Sequence, residues 1–219
     1  MNDIALRTQY KIKTWQLFLL ITLAVWINTW ILQNFVMTRE VYHNLLADQL
    51  EISRVDDYFS YVKKISLFSY ALAPLVLWIQ LAFVTLLLQF PLVLKFIDIP
   101  FKKIFRITAF AQISLIVMAI IKTVWLLHFK PSQITAKTLS FTPFSITNLL
   151  DVNLYPKSAL QILNNFNLFA VIWCIILIKG ISDTGKIKKS DSVLLVLGVW
   201  AFILIFQWAL LTYFTKINS

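Results

Sequence analysis

The residues of this sequence that could do chemistry are few, and their spacing matches no catalytic motif. His43 and His128 do not belong to an HExxH pattern, and no carboxylate lies inside an apolar run to complete a metal site with them. Asp56 and Asp57 are adjacent, so on a helix their side chains would point about 100° apart instead of converging. The sequence therefore predicts no catalytic residue, no metal and no cofactor.

Phosphate-binding loops and activated nucleophiles are missing as well. Gly180, Gly185 and Gly198 are isolated from one another, and no serine stands in a G-x-S-x-G nucleophile elbow. Cys174 is the single cysteine, which excludes an internal disulfide and a thiolate metal cluster. We therefore expect a protein that is not an enzyme and that has no identified soluble small-molecule substrate.

A second set of polar residues lies inside long apolar runs. Its members are Asn28, Gln80, Gln112, Lys122, Asn164, Asn165, Asn167 and Gln207. Amides between membrane helices contribute roughly 0.6 kcal/mol each to helix contact. The spacing of Asn164, Asn167 and Cys174 places them near one helical face, which we predict to contact a neighbouring helix or a partner. Trp200 and Trp208 are further candidate contacts, and a permeation path is the alternative.

Lys122 is the charged residue inside an apolar run, and such a residue is a functional candidate by default. It lies roughly 22 Å along its helix from the cytoplasmic end, so its ammonium group can snorkel to the outer interface. Buried pairing is the second interpretation.

Composition indicates what holds these residues in place. The chain has 219 residues, of which 59% are hydrophobic and 14% charged, which is typical of a multi-span membrane protein and not of a soluble domain. About 20 residues of helix cross a hydrocarbon core of roughly 30 Å. We predict one all-α bundle with five transmembrane helices, at about residues 15–36, 65–90, 107–127, 160–181 and 193–214.

Basic residues flank the apolar runs, so the net charge of +10 indicates contact with anionic lipid head groups instead of nucleic acid. The predicted head-group contacts are Lys102, Lys103, Arg106, Lys186, Lys188 and Lys189. Arg7, Lys11 and Lys13 precede the first run, and the more basic connecting segments are also the shorter ones. The positive-inside rule then predicts a cytoplasmic amino terminus and an external carboxyl terminus.

The connecting segments carry further expectations. Residues 38–64 carry charges of both signs and predict a helix on the bundle or at the head groups, with partner binding as the sharper interpretation. Residues 128–158 predict an interfacial or re-entrant turn, because irregular backbone in a membrane must be covered by protein. Pro74 predicts a kink in the second span, Pro91 predicts its end, and residues 95–106 predict an amphipathic link.

The carboxyl-terminal half resembles the Yip family of membrane proteins, named for their interaction with Ypt and Rab GTPases. Three stretches carry the resemblance: TPFSITNLL at 142–150, Asn167-Leu168-Phe169 followed by Gly180-Ile181, and FKKIFRITA at 101–109. The resemblance implies five spans, an internal amino terminus, no catalytic residues and a bacterial member in the cytoplasmic (inner) membrane. It also implies an accessory subunit of a larger assembly, such as an ABC-type exporter.

Three functions therefore stay open at the level of sequence. The first is a non-catalytic accessory or scaffold subunit that packs against other integral membrane subunits. The second is a small transporter or channel that uses Lys122 and the intramembrane asparagines. The third, with the weakest support, is a membrane-embedded lipid enzyme, which would need a polar cavity holding Lys122 with Asp151 or His128.

Overall fold

A computed structural model describes residues 12–46, 50–151 and 154–217, excluding the side chains of Lys157 and of 214–217. Arg7 and Lys11 lie outside the described residues. Within those ranges all regular structure is helical. The α-helices are α1 Thr14–Ile31, α2 Arg39–Leu46, α3 Ile52–Leu94, α4 Phe101–Leu126, α5 Ala136–Ser140, α6 Lys157–Leu163, α7 Leu168–Ser182 and α8 Lys189–Ile217. A π-helical turn, Leu32–Val36, extends α1.

Four helices are long and apolar enough to cross a membrane: α1 with its π turn, α3, α4 and α8. The prediction of an all-helical fold is confirmed for the described residues, with four helices that could span a membrane where five were predicted. Helix α7 has 15 residues, which is shorter than the other four. At 1.5 Å per residue it is about 22 Å long.

The continuous helix predicted at residues 160–181 is wrong, because the chain leaves the helix between Leu163 and Leu168. Asparagine competes with helical hydrogen bonding through its own side chain and favours caps. Asn167 accordingly forms the N-cap of α7, with its side chain accepting from the backbone N–H of Ala170. The predicted fourth span is therefore two helices, α6 and α7, joined by a short turn.

The expected end of the second span is also wrong. Helix α3 contains both Pro74 and Pro91 and continues to Leu94. The second half of the amphipathic link predicted at residues 95–106 belongs to α4, which begins directly after its N-cap Pro100. Proline fits this place because its fixed φ suits a helix start and no N–H is needed there.

Helix α4 is the centre of the bundle. Of its most apolar stretch 39% is buried, compared with 11% for α8. One cluster joins α4 to α1 and α3 through Leu17, Leu81 and Ala109. A second joins α4 to α3, α7 and α8 and includes Leu177 and Val196.

Helices α4 and α7 run antiparallel in close contact. Residue 180 of α7 lies against Ile107 near the start of α4, and the Ser114 hydroxyl donates to the carbonyl of Phe169 at 3.2 Å. Ser114 lies about 18 Å along α4 from Leu126. The first turn of α7 therefore lies well below the far end of α4, within the apolar layer of the bundle.

Candidate functional site

The asparagines predicted to form a contact face lie at the break between α6 and α7. Their side chains form hydrogen bonds with other residues of the same chain. The amide of Asn167 donates to the carbonyl of Asn164 at 2.9 Å, and its oxygen accepts from Ala170 at 2.9 Å. The side-chain oxygen of Asn164 accepts from the Thr147 hydroxyl at 2.6 Å, and its amide donates to the carbonyl of Ser140 at 3.3 Å. These polar groups stabilise the break.

The loop before α6 folds against the same break. The N–H of Ile146 donates to the carbonyl of Phe166 at 3.0 Å, and the N–H of Leu168 donates to that of Phe144 at 3.2 Å. Phe144 has a φ of 54°, which is uncommon for a bulky residue. Irregular backbone inside the apolar layer is thus paired with protein, which is the condition for tolerating it there.

The other predicted contact residues differ in how much of their side chain is exposed to a neighbouring protein. Cys174 is buried in the core between α4, α7 and α8. Trp200 is partly buried and packs edge-on against Phe166, with ring centroids 4.9 Å apart. Trp208 is 55% exposed and lines an apolar groove beside Tyr155. Of these three, Trp208 presents the largest surface to a neighbour.

Lys122 lies in α4 about one turn before its end at Leu126, and its side chain is partly buried. Among the described residues no carboxylate lies within ion-pair distance of it. The ion pairs of those residues involve Arg39 and His43, both with Asp56. Lys122 is therefore a single charge close to the far end of the bundle.

The predicted head-group contacts lie at the opposite, basic end of the bundle, but they do not form one cluster. Lys102, Lys103 and Arg106 line one groove with Lys179. Lys186 donates instead to the carbonyl of Asp98. This contact places the α3–α4 turn beside the α7–α8 turn. Lys188 and Lys189 are exposed at the beginning of α8 and do not line that groove.

At the far end, Arg39 of α2 donates to Asp56 of α3 through Nε at 2.6 Å and also through its Nη2. His43 lies 2.8 Å from the same carboxylate. These hydrogen bonds, chiefly those from Arg39, lower the pKa of Asp56 to about 2. Because α3 is 43 residues long, or about 64 Å, its first turns extend beyond a bilayer. Helix α2 lies within residues 38–64, where a helix was predicted, and Arg39 and His43 attach it to this part of α3.

An apolar cleft separates α3 from α8 near the basic end. Its volume is about 540 Å³, and the carboxyl-terminal part of α3 and the first turns of α8 line it. Leu87 and Pro91 lie on the α3 wall, and Gly198 and Phe202 lie on the α8 wall. A Cβ built at Gly198 would meet no atom within 4 Å, so the wall is open at this residue.

Gln80 lies on α3 beyond this cleft and does not line it. It precedes Leu87 by seven residues and Pro91 by eleven, so the three residues share one face of the helix. Gln80 lies at the middle of residues 65–94, a stretch without charged side chains, and it is exposed. No described residue forms a hydrogen bond with its side-chain amide. Gln80 and Gly198 were not predicted as site residues; an amide at mid-span and a glycine in an apolar helix were the signals.

Within the described ranges, no group of three or more His, Cys, Asp or Glu side chains could hold a metal ion. The four long apolar helices indicate a helical membrane protein, and an apolar cleft lies between two of them. No family model, no curated protein and no solved structure matches the chain.

Proposed function

We propose that this protein is a non-catalytic accessory or scaffold subunit that receives a transmembrane helix of a larger membrane assembly in the α3–α8 cleft. The observation that carries the proposal is the exposed amide of Gln80 at the middle of the uncharged stretch 65–94 of α3, which has no hydrogen-bond partner among the described residues. An amide without a partner in hydrocarbon costs several kcal/mol on alkane-based scales, in the range of about 4 to 8. A partner helix that supplies an acceptor and a donor removes this cost.

The shape of the cleft supports a helix as the occupant. Small residues at membrane interfaces let two backbones approach closely, and Gly198 offers this on α8. One helical turn after Gly198, Phe202 and Phe206 stack on the exposed side of α8, with ring centroids 6.4 Å apart. They present an aromatic surface to a neighbouring helix. Helix α8 is also the least buried of the four helices that are long and apolar enough to span a membrane.

The transporter alternative has less support. The side chains of Asn164 and Asn167, which would line a permeation path, are engaged in hydrogen bonds that hold the α6–α7 break. Lys122 is placed near the far end of α4 and not at mid-depth. The lipid-enzyme alternative required Asp151 or His128 beside Lys122, and His128 instead lies 2.9 Å from the carbonyl of Val124.

The proposed topology has five crossings, with a cytoplasmic amino terminus and an external carboxyl terminus. Support comes from the contact of Lys186 with Asp98, because it brings the α3–α4 turn and the α7–α8 turn to the same end of the bundle. The chain between α4 and α8 must return to that end, and α6 with α7 is the segment that does so. Yip-family membership, an ABC-type exporter as the assembly and a bacterial inner membrane remain parts of the proposal that rest on the sequence resemblance.

The experiment is photo-crosslinking in native membranes with benzoylphenylalanine at Gly198 or Phe202. Leu23 is the matched control, because it is 55% exposed at the middle of α1 and lies away from the cleft. We expect one protein adduct from each cleft residue, mapped to an apolar helix of another membrane protein, and lipid adducts from residue 23. The substitution Gln80→Leu should reduce the cleft adduct at least fivefold.

Three outcomes would overturn the proposal. One is equal protein adducts from residues 23 and 198, which would indicate random collisions. Another is an adduct of twice the chain mass, which would indicate self-association instead of an assembly. The third is an adduct that Gln80→Leu leaves unchanged, which would show that the Gln80 amide does not contact the partner helix.

A further inference from the structure

A groove at the basic end of the bundle combines positive charge with an apolar wall. It has a volume of about 630 Å³ and lies between the beginnings of α1 and α4 and the last turns of α7. The charged side chains that line it are Lys102, Lys103, Arg106, Lys179 and Asp183, with a formal sum of +3 from four cations and one carboxylate. Ile107, Phe110 and Ile176 line it about one turn deeper along the same helices.

The electrostatics at the start of α4 are unfavourable without a ligand. A helix N-terminus has a positive partial charge and is stabilised by acidic residues or a side-chain cap. Helix α4 has neither: its N-cap is Pro100, its first turn contains no acidic residue, and Lys102 and Lys103 lie there instead. An anion placed among these groups would offset the repulsion between them.

The three lysines of the groove are available for such an anion. Among the described residues, Lys102, Lys103 and Lys179 have no ion pair and no side-chain hydrogen bond. Arg106 differs, because it donates to the carbonyl of Ile12 at 2.7 Å and so joins the groove to the beginning of α1.

We propose that this groove is a specific site for one anionic phospholipid. The phosphate group lies among Lys102, Lys103 and Lys179, and the first part of an acyl chain lies along Ile107, Phe110 and Ile176. A lipid matches both halves of the groove, since its charge is at the membrane surface and its chain is one helical turn deeper. A free phosphate ion would use the cationic half only. The site is separate from the α3–α8 cleft and does not depend on a partner subunit.

The same end of the protein provides a matched control. Lys188 and Lys189 are exposed at the beginning of α8 and do not line the groove. The pair Lys102→Gln with Lys179→Gln removes two charges from the groove. The pair Lys188→Gln with Lys189→Gln removes two charges from the same end of the bundle and leaves the groove intact. If the site is specific, only the Lys102/Lys179 pair should reduce lipid retention. If the basic surface attracts lipid diffusely, both pairs should reduce it equally.

The experiment is native mass spectrometry of the purified full chain with equal amounts of phosphatidylglycerol and phosphatidylcholine. We expect one phosphatidylglycerol to be retained in preference to phosphatidylcholine by the wild type and by the Lys188/Lys189 variant. The Lys102/Lys179 variant should retain at least fivefold less. Lys102→Arg with Lys179→Arg keeps the charge and should restore retention, which separates lost charge from a lost fold.

Several outcomes would overturn the lipid site. Equal loss in both glutamine pairs would show diffuse attraction, and equal retention of phosphatidylcholine would show no selectivity for the head group. Displacement of the lipid by the same concentration of glycerol phosphate would show that the groove holds a phosphate ion and makes no use of its apolar wall. Failure of the arginine pair to restore retention would show that the positive charge at residues 102 and 179 does not hold the lipid.

Discussion

A methyl group added at residue 180 would lie 2.4 Å from the Cγ2 atom of Ile107, so Gly180 lets α7 approach α4 to contact distance. Ile107 is buried, and as a β-branched residue in a helix it has essentially one χ1 rotamer. The side chain therefore cannot turn aside to admit a methyl group. This contact and the hydrogen bond from the Ser114 hydroxyl to the Phe169 carbonyl hold α4 and α7 together at both ends of their shared surface.

Gly180→Ala should therefore destabilise the bundle. Overpacking of this kind costs about 1–3 kcal/mol, and the midpoint temperature of unfolding in detergent should fall accordingly. Gly198→Ala is the control, because a Cβ at residue 198 meets no atom within 4 Å. Alanine is the better helix former by about 1 kcal/mol, so that variant should be unchanged or more stable. Equal effects at the two glycines would contradict close α4–α7 packing.

Asn167→Ala should destabilise the break between α6 and α7. The variant loses the cap on Ala170 and the hydrogen bond to the carbonyl of Asn164. Loss of an N-cap costs about 0.5–2 kcal/mol, which thermal unfolding in detergent would show as a lower midpoint. Asn167→Ser keeps a cap acceptor and should recover most of the loss. A serine variant as unstable as the alanine variant would show that the cap is not the stabilising interaction.

Sequence reasoning predicted the helical membrane bundle because length and hydropathy are local properties. Four of the apolar runs lie in α1, α3, α4 and α8, although α3 begins at Ile52, well before the predicted start at residue 65. The break at residues 164–167 was not predicted, although three asparagines in LNNFN were a local signal. Its backbone partners, Phe144 and Ile146, are about 20 residues away, and only the fold brings them to Phe166 and Leu168.

The candidate sites were harder to predict for the same reason. The sequence showed lysines beside the spans, and Lys102, Lys103 and Arg106 do lie together. Their separation from Lys186, Lys188 and Lys189 depends on how α4 and α7 cross. The cleft depends on the separation of α3 and α8, which no spacing within one helix encodes. Gln80 was visible as a polar residue, but only the tertiary structure shows that its amide has no partner in the part of the chain that the structure describes.

The contact between α2 and α3 should depend on pH in a narrow acidic range. The pKa of Asp56 is lowered to about 2 from an ordinary value of 3.8. A lowered carboxylate pKa means that its stabilising contribution is complete above the unfolded value and is lost as the pH falls through the folded value. We expect α2 to stay docked at pH 4 and to separate as the pH approaches 2. Double electron–electron resonance between spin labels at Glu40 and Tyr61, in a Cys174→Ala background, measures this.

Asp56→Asn should separate α2 already at neutral pH, because the charge that binds Arg39 is lost. Asp57→Asn is the control, since Asp57 is adjacent and forms no ion pair with the described residues. It should behave as the wild type at every pH. A label distance that is the same in both variants would show that the Arg39 ion pair does not hold α2.

The proposed five-crossing topology predicts that residues 137 and 188 lie on opposite sides of the membrane, because α6 and α7 separate them. With Cys174→Ala as background, Lys137→Cys and Lys188→Cys each supply one exposed thiol at positions away from the packed core. A membrane-impermeant maleimide should label residue 137 in intact cells and residue 188 only in inverted vesicles. Labelling of both residues from one side would mean that α7, at 15 residues, enters the bilayer without crossing it. Labelling of residue 188 from outside and residue 137 from inside would keep the crossing and reverse the orientation predicted by the positive-inside rule.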